Sequence, residues 1–330
     1  MGTVPQIRKL DFLTLFTAGF NIYRAKFPSL ALFYILLYFP SMIFVANFAS
    51  ILFKIQFTGT LPSLEESLAV LFWGAILLVY ALIVYPFALL VPARLAGCLY
   101  LGRDVGLKEC VSFARKHWTL AQLSYGIFGL GIVLIFIVPL LASFLTLVQP
   151  LIILGILLTF ATLLLGVLVA MFLVILMAPM AGVISFEDQQ TGTLLQRAVK
   201  NARRTLILSL RNFWYLLGVL ILTWILLGII RNVTAYSINF WLEFLPPFLT
   251  GKVASVTDFF NYLQNPPEWV QISTLIVSVV VSTITLPFEQ IIIALLYFDL
   301  RTRVEALDIF ANLALLRGED VLSAIARTHL

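Results

Sequence analysis

Residues 151–178 read LIILGILLTFATLLLGVLVAMFLVILMA, twenty-eight positions without a single charged side chain. At about 1.5 Å per residue a helix of this length reaches roughly 42 Å, more than the ~30 Å of a bilayer's hydrocarbon core. The run is continuous rather than alternating, which excludes a barrel strand, and it is apolar all round, which excludes a helix on the surface of a soluble core. A chain with such a segment has lipid as its solvent, and only helices that satisfy their own backbone can follow. Working outward, similar low-charge stretches lie at 29–53, 67–91, 123–148, 213–230 and 271–298. The fold expected is all-α, a polytopic membrane bundle of six transmembrane helices.

Composition agrees. Of 330 residues 62% are hydrophobic and 11% charged, with a mean hydropathy of +1.05; a soluble domain carries roughly 25% charged residues. These values exclude a cytosolic enzyme, a secreted disulfide scaffold and a nucleic-acid binder. The first apolar stretch is too long for a signal-peptide core, so no cleavage is expected.

The charges are sorted. With six spans, 18 of the 21 Lys and Arg residues fall on one side and 3 on the other. Positive charge stays on the cytoplasmic side, so both termini are expected there, in a bacterial-type plasma (inner) membrane. The basic side favours the anionic headgroups of the inner leaflet as partners.

A basic segment of helical length precedes the first, third and fifth spans. Residues 10–27 place Leu10, Leu13, Phe16, Phe20, Tyr23 and Phe27 on one helical face, suited to lying flat on the inner leaflet. Offsets of 91 and 88 align Phe16, Leu107 and Leu195; Gly19, Cys110 and Ala198; Phe20, Val111 and Val199; and Phe27, Trp118 and Leu206. The same offsets align Arg24, Arg115 and Arg203, each at the edge of the apolar face, where it can snorkel to phosphates. One integral membrane domain is expected over 1–330, built from three parallel repeat-like units, 8–94, 103–182 and 191–308, with a cytoplasmic tail at 309–330. Each unit would be an amphipathic interfacial helix followed by a hairpin of spans.

Few side chains are candidates for chemistry. Glu289 is the one acidic residue deep in a span, with Gln290 beside it. A carboxylate there points either to a proton, ion or ligand role or to a helix lock, with Arg94 or Gln290 as partner. After the last span, Asp299 stands four residues before Arg303 and Arg301 four before Glu305, so a continuing helix carries two surface ion pairs. Thr302 with Glu305 also fits a capping box that would restart the helix. The motif is read as an interfacial lock or as a docking site for a cytosolic partner. The outer loop 231–270 is rich in aromatics, among them Tyr236, Phe240, Trp241, Phe244, Phe248, Phe259, Phe260, Tyr262 and Trp269, with proline pairs at 246–247 and 266–267. They suit an interfacial belt or the lid of a cavity. Thr162, Gly166 and Ala170 form a small-residue stripe, and Gly126, Gly129 and Gly131 open a span; both suit helix packing. Cys98 and Cys110 are expected as reduced thiols, and with His117 and His329 they lack metal-site or triad spacing. No catalytic residue, metal or cofactor is expected.

Three segments, LDFLTLFTAGFNIYRAKFPSL at 10–30, MAPMAGVISFEDQQTGTLLQRAVKNARRTLILSLRNFWYLLGVL at 177–220 and LYFDLRTRVEALD at 296–308, resemble the glycerophosphoryl diester phosphodiesterase membrane-domain family of bacterial and archaeal multipass proteins. The most specific piece is Leu296 to Arg301, followed by Arg303, Glu305 and Asp308. The resemblance implies a membrane domain and no catalytic activity, since the family's catalytic domain has no counterpart here. The function expected is a non-enzymatic scaffold, or a lipid- and partner-binding component of the envelope. The alternative is a small-molecule or lipid transporter or flippase with Glu289 in its cavity.

Overall fold

A computed structural model describes residues 9–58, 64–144, 152–187, 191–241 and 268–307. Among the described residues the chain is helical throughout, without strands: α1 Phe12–Thr58, α2 Leu64–Tyr100, α3 Leu107–Lys116, α4 Trp118–Ser143, α5 Ile152–Met177, α6 Met180–Phe186, α7 Leu194–Arg211, α8 Phe213–Asn239 and α9 Glu268–Glu305. The turn at Gln149 and Pro150, the loop residues 242–267, Asp308 and the tail with His329 lie outside the described residues, as do the side chains of Asn47 and Trp269.

Among the described residues five stretches are long and apolar enough to cross a membrane: Leu68–Tyr100, Trp118–Ser143, Ile153–Phe186, Phe213–Asn239 and Ile276–Glu305. They differ in how far protein covers them. Only 17% of the most apolar window of Ile153–Phe186 is buried, against 50% for Ile276–Glu305. Leu154, Leu157, Phe160 and Leu164 on α5 are all exposed. In water this surface would be an aggregation site; in lipid it is ordinary.

The chain separates into two compact units. One comprises Met1–Ile22, Leu89–Ile221 and Gln290–Leu330; the other comprises Tyr23–Ala88 and Leu222–Glu289. In the first, α4 packs on α5 and α7, and α7 also packs on α5 and α6. The stripe of small residues helps here: Gly166 is buried, and a side-chain carbon there would stand 3.3 Å from Ile135. Gly131 meets Leu173 similarly at 3.4 Å, whereas Gly126 and Gly129 face open space, so the packing role expected of them is not seen.

Two closer approaches decide the packing of this unit. A carbon added at Gly182 in α6 would lie 2.7 Å from Tyr297 Cβ, and one at Gly97 in α2 would lie 2.9 Å from Phe298. Both glycines let α9 come against backbone, with Tyr297 and Phe298 fully buried.

The segments before the spans behave unequally. The expected flat helix over 10–27 is not separate, because α1 runs unbroken past Pro28, where Ser29 Oγ donates to Lys26 O at 2.9 Å. The other two are distinct. α3 ends at His117, with φ −102° and ψ 11°, before α4 begins, and α7 ends at Asn212, with φ −128° and ψ 34°, before α8. Gly192, at φ +91°, turns the chain into α7, and a reciprocal capping box between Thr193 and Gln196 starts that helix.

The buried face of α7 is also not the one its large apolar residues mark. Ala198, Asn201, Ala202, Thr205, Leu208 and Ser209 face inward, while Leu195, Val199 and Leu210 stay exposed. Small and hydroxyl side chains allow close contact and find partners there: Ser209 Oγ donates to Leu176 O at 2.7 Å, and Thr205 Oγ1 donates to Asn201 O at 2.8 Å. In all three aligned segments the small residue, Gly19, Cys110 or Ala198, is buried and the arginine, Arg24, Arg115 or Arg203, is exposed.

Candidate functional site

The end of α9 carries the charged motif. The helix continues through Glu305, and Thr302 Oγ1 donates to Phe298 O at 2.9 Å, so the restart by a capping box does not occur. Both expected i,i+4 pairs form: Arg303 Nε to Asp299 Oδ2 at 2.8 Å and Arg301 Nε to Glu305 Oε2 at 2.9 Å. They are not on the surface, however. The Asp299 and Arg301 side chains are 0% exposed.

The burial has a reason, because each pair holds more than itself. Asp299 Oδ1 accepts the Leu10 N–H at 2.7 Å, and Arg303 Nη2 donates to Leu10 O at 2.6 Å, so one residue's donor and acceptor are both taken by α9. Tyr215 donates to the same carbonyl at 3.1 Å, and the Arg303 guanidinium lies 3.9 Å from the Tyr215 ring centre. The chain entering α1 is thereby fixed. Asp11 caps the first turn through Thr14 N–H at 3.2 Å.

Arg301 belongs to a second group. Glu187, just after α6, accepts from Arg204 Nε at 2.6 Å and from Tyr297 Oη at 2.8 Å, and stands 3.5 Å from Arg301 Nε. Arg301 Nη1 donates to Tyr297 Oη at 3.2 Å, and Arg204 also pairs with Glu305. Two carboxylates and two guanidiniums thus alternate in a ring with Tyr297 between them. The ring is neutral as a whole. Burial opposes the Arg204 cation, but Glu187 and Glu305 more than offset it and raise its pKa above the ordinary arginine value.

Glu187, Arg204 and Tyr297 escape a reading of the sequence by local spacing, since Glu187 and Tyr297 are 110 positions apart. The available signal is adjacency: Arg203 and Arg204 lie about 100° apart around a helix, and here the first is exposed while the second reaches the Glu187 carboxylate.

Arg94, one of the partners expected for Glu289, is engaged elsewhere. It donates to Ser185 O at 2.6 Å and lies over the Phe113 and Phe186 rings at 4.7 and 5.2 Å. In the second unit Glu289 has different partners: Arg231 Nη2 donates to Oε2 at 2.7 Å and Trp224 Nε1 to Oε1 at 2.9 Å. Arg231 Nε donates to Thr285 Oγ1 at 2.8 Å. The sequence assigns Arg231 to the outer loop, but α8 continues to Asn239, and Arg231 is a helical residue whose charge is met by the carboxylate. Gln290 is half-buried. Tyr236, Phe240 and Trp241 of the aromatic loop are exposed; Phe244, Phe248, Phe259, Phe260 and Tyr262 are outside the described residues. Cys98, Cys110 and His117 are buried, the His117 ring stacking on Phe113 at 4.1 Å.

The arrangement can do two kinds of chemistry. Its ionic groups join distant segments, and its exposed arginines can meet an anion. Comparison with protein-family models, curated proteins and solved structures finds no match to the chain.

Proposed function

We propose that the chain is a non-enzymatic integral membrane protein of a bacterial-type inner membrane, a scaffold that binds anionic lipid headgroups and a protein partner at its cytoplasmic face. The observation that carries this reading is a division among the arginines. Arg204, Arg301 and Arg303 are neutralised by internal carboxylates, while Arg24, Arg115 and Arg203 are exposed. Charges held inside build the platform; charges left outside recognise a ligand. Glu289, with both oxygens bonded to Arg231 and Trp224, serves in this reading as a helix lock rather than a transport residue.

The same proposal takes α1 as a sixth span, the three aligned segments as amphipathic collar elements of a parallel repeat, and both termini as cytoplasmic. The resemblance to the glycerophosphoryl diester phosphodiesterase membrane-domain family belongs to it too. The test is the lipid that stays with the purified protein. Reversing Arg24, Arg115 and Arg203 to Glu is expected to lower the ratio of anionic to zwitterionic lipid retained in mild detergent, measured by mass spectrometry. An unchanged ratio would overturn the headgroup reading.

A further inference from the structure

Of the segments that precede the spans, α3 differs from the others in what it exposes. The start of α1 exposes Leu13 and Phe20, and α7 exposes Leu195, Val199 and Leu210, with Trp214 80% exposed at the head of α8. From residue 86 to residue 122, a stretch described throughout, every exposed residue is polar or glycine. A helix lying in a leaflet is held there by apolar side chains turned outward, with basic residues beside them. α1 and α7 have such side chains, whereas those of α3 turn inward. Cys110 and Ala114 are fully buried, and Phe113 stacks on His117 with the Arg94 guanidinium over its ring.

The outer face of α3 is basic. At 100° per residue Lys108, Ser112, Arg115 and Lys116 fall within an arc of about 100°, opposite Cys110 and Ala114. The acidic neighbours are engaged: Glu109 pairs with Arg103 at 3.4 Å, and Asp104 has an interaction of its own. Lys108, Arg115 and Lys116 are exposed and have no hydrogen-bond or ion-pair partner among the described residues. We infer that this face is a docking site for a cytosolic protein that presents an acidic helix or loop, with Lys108, Arg115 and Lys116 pairing with its carboxylates and Ser112 donating between them. Charge without apolar insertion favours a soluble acidic surface over a bilayer: attraction steers the encounter, and carboxylates spaced as the cations are fix the register. The inference rests on the reading of this side as cytoplasmic and gives the protein partner a place. It also moves Arg115 from the lipid to that partner, leaving Arg24 and Arg203 on segments whose apolar side chains can enter the leaflet.

The full-length protein in nanodiscs of phosphatidylcholine alone is titrated with a labelled helical peptide of about 20 residues, ~30 Å long, carrying glutamates at i, i+4 and i+7, reading fluorescence anisotropy. A copy with glutamines in their place is the control. The glutamate peptide is expected to bind and the control not, with affinity falling as salt is raised past ~0.15 M, where charges are screened over ~8 Å. Lys108→Gln with Arg115→Gln and Lys116→Gln should weaken binding about tenfold, as for three exposed ion pairs lost together, and Ser112→Glu should weaken it too. Reversing the three cations to Glu should transfer binding to a lysine-bearing peptide. No binding of the glutamate peptide, or wild-type affinity in the folded variants, overturns the proposal. A membrane is the rival occupant. A fluorophore on Ser112→Cys, beside native Cys98 and Cys110 that are buried, should be quenched by aqueous iodide and spared by brominated lipid, and one on Leu195→Cys the reverse. Quenching by brominated lipid at position 112 overturns the proposal. Arg115→Glu separates it from the headgroup reading. An unchanged ratio of retained anionic lipid with peptide binding weakened supports the docking site, and a lowered ratio with peptide binding intact overturns it and keeps the headgroup reading. If Arg24→Glu with Arg203→Glu leaves the ratio unmoved while the glutamate peptide still binds, the docking site stands and the headgroup reading falls.

Discussion

The ring at the end of α9 and the pair on α8 and α9 use the same chemistry to different depth. In the ring, Glu187 and Arg301 are at most 2% exposed and every charge has two partners. In the pair, Arg231 is 29% and Glu289 14% exposed, with Trp224 and Thr285 as neutral neighbours. The difference lies in what remains when one member is removed. The pair loses one attraction and can turn its arginine toward polar surroundings, whereas the ring is left with a buried surplus charge that has no exit. Structural charge in this chain is therefore graded by the number of segments it joins.

The sharpest way to break that contrast is to delete the carboxylate the ring is built around. Glu187→Ala leaves Arg204 and Arg301 sharing Glu305, and a loss of about 3–5 kcal/mol is expected, as for breaking a buried pair from one side. Thermal unfolding in detergent measures it, and Glu187→Gln, which keeps a hydrogen-bond acceptor for Tyr297, should fall less. If Glu289→Ala costs as much as Glu187→Ala, the two sites are equivalent and the grading is wrong.

A second prediction asks whether the ring depends on packing beneath it. Gly182→Ala puts a methyl against Tyr297, and Tyr297 is the hydroxyl between Glu187 and Arg301. Overpacking of this kind costs typically 1–3 kcal/mol. Because the ring residue itself must shift, the loss should be non-additive with Glu187→Ala, and a double-mutant cycle reads the coupling. Additivity would mean that α9 seats without help from the ring.

How much of this could be read from residues alone follows the range of each interaction. The span at 151–178 is legible because hydropathy is local, and the pairs Asp299 with Arg303 and Arg301 with Glu305 are legible because helical spacing is local. Their burial was not, since it comes from Leu10, Tyr215, Glu187 and Arg204, more than 80 positions away. Arg231 lies in a helix rather than the expected loop for a related reason. A charge normally marks the end of an apolar run, and here Glu289 and Thr285 meet the guanidinium while α8 continues past it. Capping signals show the same limit. Thr193 with Gln196 and Thr302 with Glu305 match one pattern, yet only the first follows a positive-φ glycine that breaks the chain, while the second falls where α9 has already been carried through by its ion pairs.

The half-buried pair then makes a third, milder prediction. Glu289→Gln keeps an oxygen for Trp224 and a neutral acceptor for Arg231, so a cost of about 1–2 kcal/mol is expected, in the range of a charged hydrogen bond reduced to a neutral one. Cellular function should survive it. Loss of function with melting temperature intact would return Glu289 to the role of a transport residue and sink its reading as a lock.

The smallest effect is expected at the residue that closes the ring's helix. Ala306 has φ +52°, a left-handed conformation that costs an alanine roughly 1–2 kcal/mol, and its N–H reaches back to Thr302 O at 3.1 Å. That bond, from the first residue past the helix to the carbonyl four positions earlier, is an αL cap normally filled by glycine. Ala306→Gly should relieve part of the strain and raise stability by up to about 1 kcal/mol, because glycine's greater freedom in the unfolded chain offsets the rest. The sign carries the argument. Arg204 and Arg301 hold Glu305 in place and Leu307 is fully buried, so the chain must turn at once after α9 whatever residue stands there. A loss of stability on Ala306→Gly would mean that the methyl packs against something worth more than the strain, and that the helix end is set by Ala306 rather than by the charges before it.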